Sequence, residues 1–153
     1  QYLQYILYAA NRRLRRMSDG EYELRLLPLG EKSNGENSLD LRVYSAVTGG
    51  ERSLATLSGG ESFMAALAIA MGLSDQIQDT MASKTLDFMF LDEGFGSLDD
   101  HARGHAVRVL KEMAGSEKLI GIISHVTELK QDIEDQLVVT KDQNGSHAKW
   151  RLS

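Results

Sequence analysis

The sequence predicts an α/β fold with a partly parallel sheet and flanking helices. Two short apolar runs, 86–91 and 119–123, read as core strands, and residues 98–114 between them repeat apolar side chains at helical spacing. A strand, a helix and a second core strand make the unit that connects parallel strands. A long apolar helix over 59–80 precedes this unit, and a hairpin follows it.

Taken in order, residues 1 to about 17 form a helix. Leu3, Leu7, Ala10, Leu14 and Met17 are spaced four, three, four, three, the spacing of a coiled-coil seam. Residues 1–18 are therefore expected to be the end of a coiled-coil helix, and 19–153 one lobe. Ser18-Asp19-Gly20 stops the helix. Tyr22, Leu24 and Leu26 alternate with Glu23 and Arg25 in a half-buried strand over 22–27, ended by Pro28. Residues 30–38 are a polar loop. Leu39, Leu41 and Val43 mark a second strand, expected to pair with the first, and 46–56 reads as a connector.

The helix 59–80 is apolar nearly all round from Phe63 to Met71, so it must be covered on most sides. The lobe is expected either to need another lobe over this helix or to self-associate. Ala102, Ala106, Val109, Leu110 and Met113 set the helix of 98–114. At the end, 136–140 and 148–152 flank Asn144-Gly145, a type I′ signal; that tip would oppose Val139 to Trp150 and Leu137 to Leu152.

Composition narrows the function. With 153 residues, 42% hydrophobic and 25% charged, the chain has the make-up of one globular domain. The absence of cysteine removes disulfides and thiolate metal sites. No apolar run approaches the length that spans a bilayer, and no membrane partner is expected. The chain starts at Gln1 rather than Met, which reads as a cut or processed end. A net charge of −5 gives no global footprint for nucleic acid. Arg12, Arg13, Arg15 and Arg16 do form one basic cluster, either a solvated helix face or a patch that contacts phosphates.

Four motifs carry chemistry. In Leu57-Ser58-Gly59-Gly60-Glu61, Ser58 caps the following helix, and the glycines leave the backbone bare where it must approach something. A helix N-terminus of this kind is an anion site. The strand 86–91 ends in Asp92-Glu93, two carboxylates at the C-terminal tip of a parallel strand, where α/β sheets bind ligands. Asp92 can hold Mg²⁺ through water, and Glu93 can polarise an attacking water as general base. Gly94-Phe95-Gly96-Ser97-Leu98-Asp99 follows and opens the next helix. The strand 119–123 ends in Ser124-His125, and this histidine can reach a terminal phosphate if the strands are neighbours. No GxxxxGK[ST] phosphate loop is present.

In this order the motifs resemble the C-terminal half of an ABC-type ATPase head, over essentially the whole chain. The resemblance implies that Leu57, Ser58, Gly59, Gly60 and Glu61 are the signature motif, which closes on ATP in trans. It implies that Asp92 is the Walker B aspartate, Glu93 the catalytic glutamate, Ser97-Leu98-Asp99 the D-loop and His125 the switch histidine. Transporter heads usually place a proline after the glutamate, where this chain has Gly94. The run from Asp92 to Asp99 looks like the SbcC-type subunits of the bacterial double-strand-break nuclease, which are SMC-like repair ATPases.

In that family a long antiparallel coiled coil separates an N-terminal from a C-terminal lobe, and the missing phosphate loop belongs to the N-terminal one. The implied cofactors are ATP and Mg²⁺. The implied partners are the N-terminal lobe, a second head in a homodimer, a nuclease subunit and double-stranded DNA, with Arg12 to Arg16 as candidate contacts. The implied place is the cytoplasm, at the nucleoid. Two other readings are a transporter-type nucleotide-binding half and a non-enzymatic dimerisation module. Gly94-Phe95-Gly96 and the heptad oppose the first, and the intact Ser58, Asp92 and Glu93 oppose the second. His101 and His105, four apart on a helix, are a conceivable metal pair, but the sequence places no third ligand, so a solvated face is preferred. His147 reads as an ordinary strand residue.

Overall fold

A computed structural model describes residues 2–27, 41–80, 87–115 and 118–152. Pro28, the polar loop of 30–38 and Leu39 lie outside them. The fold divides into two compact units, 1–123 and 124–153, each described by itself.

The first unit opens with α1 (Tyr2–Met17). Its face of Ile6, Leu7, Ala10, Leu14 and Met17 is buried, so four of the five heptad positions are filled. Within the unit, α1 packs chiefly against α2 (Gly59–Thr80). The crossing is close. A Cβ on Gly72 would lie 2.5 Å from the carbonyl oxygen of Ile6 and 2.9 Å from the nitrogen of Ala10. Small residues at 10 and 72 are what let the two backbones meet. Tyr2, Tyr5 and Tyr8 stay exposed on another face of α1.

β1 (Tyr22–Leu26), β2 (Leu41–Ser45) and β3 (Gly50–Ser53) form an antiparallel sheet in that order. Leu24 pairs with Val43, and both are buried, as alternation requires. Asn11 of α1 docks on β1 as a neighbouring strand would: its amide donates to the Leu24 carbonyl and accepts from the Leu24 N–H, at 2.9 and 2.8 Å. The connector expected over 46–56 is in fact the turn before β3, β3 itself and a short 3₁₀ turn, Leu54–Thr56. Gly-Glu-Arg-Ser has no apolar alternation; its strand state comes from pairing with β2.

β4 (Asp87–Asp92) and β5 (Lys118–Ile123) pair in parallel, joined through α3 (Asp100–Met113), so the expected strand–helix–strand unit is present. Phe88, Phe90, Leu119 and Ile123 lie on one face and are 56, 69, 52 and 57% exposed, so this face is open in the isolated chain. The Phe90 ring lies over Gly121, where a Cβ would stand 2.6 Å from it. On α2, Leu73 and Ile77 are exposed as well. The long helix is thus half covered by α1, and the larger uncovered apolar surface is the sheet.

The second unit holds α4 (Leu129–Asp132), a single turn without a sequence signal, and the hairpin β6 (Gln136–Asp142) and β7 (Gly145–Arg151). The register differs from the expected one by two residues: Leu137 opposes Trp150 and Val139 opposes Ala148. The tip is Gln143-Asn144, closed by the Asp142 carboxylate on the Asn144 N–H at 2.7 Å. Asn144 does not take positive φ and Gly145 does (122°), so the tip is not type I′. A shift of two preserves side-chain parity, which leaves Leu137, Val139 and Trp150 on one face as expected.

Candidate functional site

The site starts from two turns that pack on each other. Ser58 and Glu61 form a reciprocal capping box at the start of α2. The Glu61 N–H donates to Ser58 Oγ (3.2 Å), and the Ser58 N–H donates to Glu61 Oε2 (2.7 Å). The first-turn N–H groups of a helix have no intrahelical partner, and Gly59 and Gly60 carry theirs with no side chain in the way.

Two residues not singled out from the sequence hold Glu61. The Tyr22 hydroxyl and the Arg52 guanidinium each donate to Glu61 Oε1 at 2.8 Å. The Glu61 side chain is only 17% exposed. Burial pushes its carboxyl up, but the Ser58 N–H, Arg52 and Tyr22 outweigh this and hold it at about 2. The same contact drives Tyr22 the other way: burial first, then the Glu21 and Glu61 carboxylates, keep its hydroxyl protonated far above the usual tyrosine range. Arg52 is raised, chiefly by its hydrogen bond to Glu61. The signal that was legible is Ser-x-x-Glu; the strand partners 39 and 9 residues away were not.

Asp92 closes β4, opposite Ile123, and is exposed. A carboxylate at an open strand tip fits a hard divalent cation. Glu93 follows with a left-handed backbone, φ 63°, rare for a residue with a side chain. Its N–H donates to the Ile123 carbonyl at 2.9 Å, which extends the β4–β5 ladder one residue past the strand. Gly94 continues at φ 97°, and a Cβ there would also strike the Phe63 ring of α2 at 2.3 Å. The chain therefore leaves the sheet through two successive positive-φ residues, with Phe95 fully buried behind them and edge-on to Phe63. Strain of this kind concentrates at functional positions.

A 3₁₀ turn, Phe95–Ser97, then delivers Leu98 and Asp99. Leu98 is buried, and Asp99 caps α3 by accepting the Ala102 N–H at 2.8 Å. A Cβ on Gly60 would lie 2.7 Å from the Ser97 carbonyl oxygen, so Gly60 is required by the turn it touches. Ser58, Gly60, Glu61, Ser97, Leu98 and Asp99 line one cleft of about 360 Å³. The signature-like and D-loop-like segments, 36 or more residues apart in sequence, are thus brought together. His125 follows β5 by two residues and belongs to the second unit.

The arginine cluster is mostly internally neutralised. Arg13 pairs with Asp75, Arg15 with Glu23 and Arg16 with Glu112. Arg12 is exposed and has no ion pair among the described residues. His101 and His105 do have a third group beside them, the Asp19 carboxylate.

Residues 15–112 match the family described as SbcC/RAD50-like, Walker B motif. The chain is 44% identical over 146 residues to the SbcC subunit of the nuclease SbcCD from Treponema pallidum, a match covering 95% of this chain and 14% of that protein. It is 46% identical over 141 residues to the same subunit from Vibrio cholerae, covering 92% and 14%. It therefore spans about a seventh of these relatives. Among solved structures, it superposes on the Smc head domain with coiled coil and joint of Pyrococcus yayanosii with a TM-score of 0.73 at 18% identity, over 96% of this chain and 26% of that one. The SMC head domain of Thermotoga maritima gives 0.64 at 23% identity, over 95% and 47%. The likeness to these heads establishes the fold, and the match over residues 15–112 establishes more: this chain belongs to the SbcC/RAD50-like family defined by its Walker B motif.

Proposed function

We propose that this chain is the C-terminal lobe of a split ATPase head in an SbcC-type DNA-repair protein. The observation that carries this is the cleft in which the bare start of α2 meets the Ser97–Asp99 turn, one turn of chain after Asp92-Glu93 at a parallel strand tip. Gly59 and Gly60 offer main-chain N–H groups to a γ-phosphate held by a second head, and Ser58 adds its hydroxyl beside them. Asp92 orders the water shell of Mg²⁺. Glu93 orients the attacking water and accepts its proton, and His125 hydrogen-bonds the terminal phosphate. ATP supplies the phosphoryl group, and Mg²⁺ neutralises the charge that develops on it.

The phosphate loop comes from the N-terminal lobe, which seats on the open face of Phe88, Phe90, Leu119 and Ile123. Supporting this are the four large apolar side chains left more than half exposed on that face. ATP then favours the engaged homodimer of heads, and hydrolysis releases it. Engagement would control a nuclease subunit and grip double-stranded DNA, in the cytoplasm at the nucleoid. With Arg13, Arg15 and Arg16 already paired to carboxylates, Arg12 is the member of the cluster most available to a DNA phosphate.

Co-expression with a lobe carrying the phosphate loop tests the reading, with ATP hydrolysis measured with and without DNA. Turnover should require both lobes, rise with DNA and fall at least 100-fold in Glu93→Gln. Turnover that survives the substitution would remove Glu93 from catalysis and favour a binding module.

A further inference from the structure

Asp19 follows α1 in a left-handed conformation, φ 51°, one of two non-glycine residues with positive φ among those described. That backbone, fixed by the Gly20 N–H on the Arg15 carbonyl at 2.6 Å, turns its carboxylate toward α3. There His101 and His105 occupy one face at i, i+4, with ring centroids 4.3 Å apart. Asp19 Oδ2 is 3.4 Å from His101 Nε2, and Asp19 Oδ1 is 3.0 Å from His105 Nδ1. The Arg16 carbonyl oxygen is 3.1 Å from the same His105 nitrogen. One donor from each of the three side chains falls within 4.8 Å of the others.

These distances match a coordination shell. With zinc–donor bonds of about 2.0–2.2 Å, neighbouring donors in a tetrahedral or octahedral shell stand roughly 2.9–3.4 Å apart. Each Asp–His contact has about that length, though through a different carboxylate oxygen, so a monodentate Asp19 closes the second edge by turning its carboxylate. The remaining His–His edge closes by rotating His101, which is 74% exposed, while His105, at 15%, stays in place and its Nδ1 exchanges the hydrogen bond to the Arg16 carbonyl oxygen for the ion. Two imidazoles and one carboxylate are a borderline donor set, which favours zinc among the common divalent ions and discriminates against Mg²⁺.

We propose that Asp19, His101 and His105 bind one zinc ion, leaving an open coordination position. The ion would pin the end of α1 to the first two turns of α3, on the rim of the cleft that Ser58 and Ser97 line. It is separate from the Asp92 position and does not depend on the function proposed above.

The test is titration of the metal-stripped full chain with Zn²⁺ against a chromophoric chelator, with a thermal melt at each point. One equivalent should bind and raise the melting temperature. His101→Ala and Asp19→Gly should each weaken binding at least tenfold, and His147→Ala should not. Asp19→Gly suits the left-handed backbone, and His101 is exposed, so both variants retain the fold. Absence of stoichiometric binding overturns the proposal. So does unchanged affinity in His101→Ala, or an equal loss in His147→Ala, which would place zinc at the His147–Asp142 pair.

Discussion

Glu93 stores strain where its side chain is wanted. A left-handed conformation costs a residue with a Cβ about 1–2 kcal/mol, and glycine escapes that cost at the expense of a floppier unfolded chain, about 0.4–1 kcal/mol. Glu93→Gly should therefore leave the denaturation midpoint unchanged or slightly higher while abolishing ATP turnover with the other lobe. A large loss of stability would show that Glu93 serves the fold first. Glu61 carries a different signature. Its carboxyl is held at about 2 against an ordinary 4.5, so its contribution to stability is complete above about 4.5 and disappears as pH falls toward 2. Melting temperatures from pH 5 to 2 should fall more steeply for the native chain than for Glu61→Gln, which lacks this proton. Parallel curves would detach Glu61 from the Arg52–Tyr22 cluster.

At the scale of elements, the α1–α2 crossing and the α2 cap decide stability. Gly72→Ala forces a methyl group against α1 backbone and should cost about 1–3 kcal/mol in chemical denaturation. Ser58→Ala should cost about 0.5–2 kcal/mol, the range for losing an N-cap. What could be read from sequence here were the elements with their own period: α1, α2, α3 and the runs before Asp92 and Ser124. β3 could not be, because Gly50-Glu51-Arg52-Ser53 becomes a strand only through β2. The heptad at 3–17 was legible as an apolar seam, but that α2 packs against it within the unit was not. Periodicity reports that a face is buried, not against what. The same limit hid Asp19, which is 82 positions from His101 in sequence and a hydrogen-bond length away in space.

For the whole molecule, the open β4–β5 face is one of two exposed apolar sheet faces among the described residues, the other being Leu137, Val139 and Trp150 on the hairpin. On β4–β5, four large apolar side chains, each more than half exposed, make a contiguous patch. The isolated chain should therefore associate reversibly in sedimentation velocity, and the Phe88→Ser, Leu119→Ser double variant should sediment closer to a monomer. A native chain that is monomeric at high concentration would refute this. That the long helix needs cover was readable from sequence, and the exposed sheet face was not. Phe63 to Met71 looked too apolar to be left bare, and α1 covers much of it. The strands looked like core, and in the isolated chain one face of them is surface.

The glycines imply a genetic asymmetry. At Gly121 the obstacle to a larger residue is the Phe90 ring, which another mutation can shrink. A defective Gly121→Ala allele should therefore yield intragenic revertants at Phe90, to leucine or valine. At Gly60 and Gly72 the obstacles are the Ser97 and Ile6 carbonyl oxygens, which every amino acid carries. No compensating side chain exists for those two, so a selection for suppressors should return only true revertants at Gly60 and Gly72.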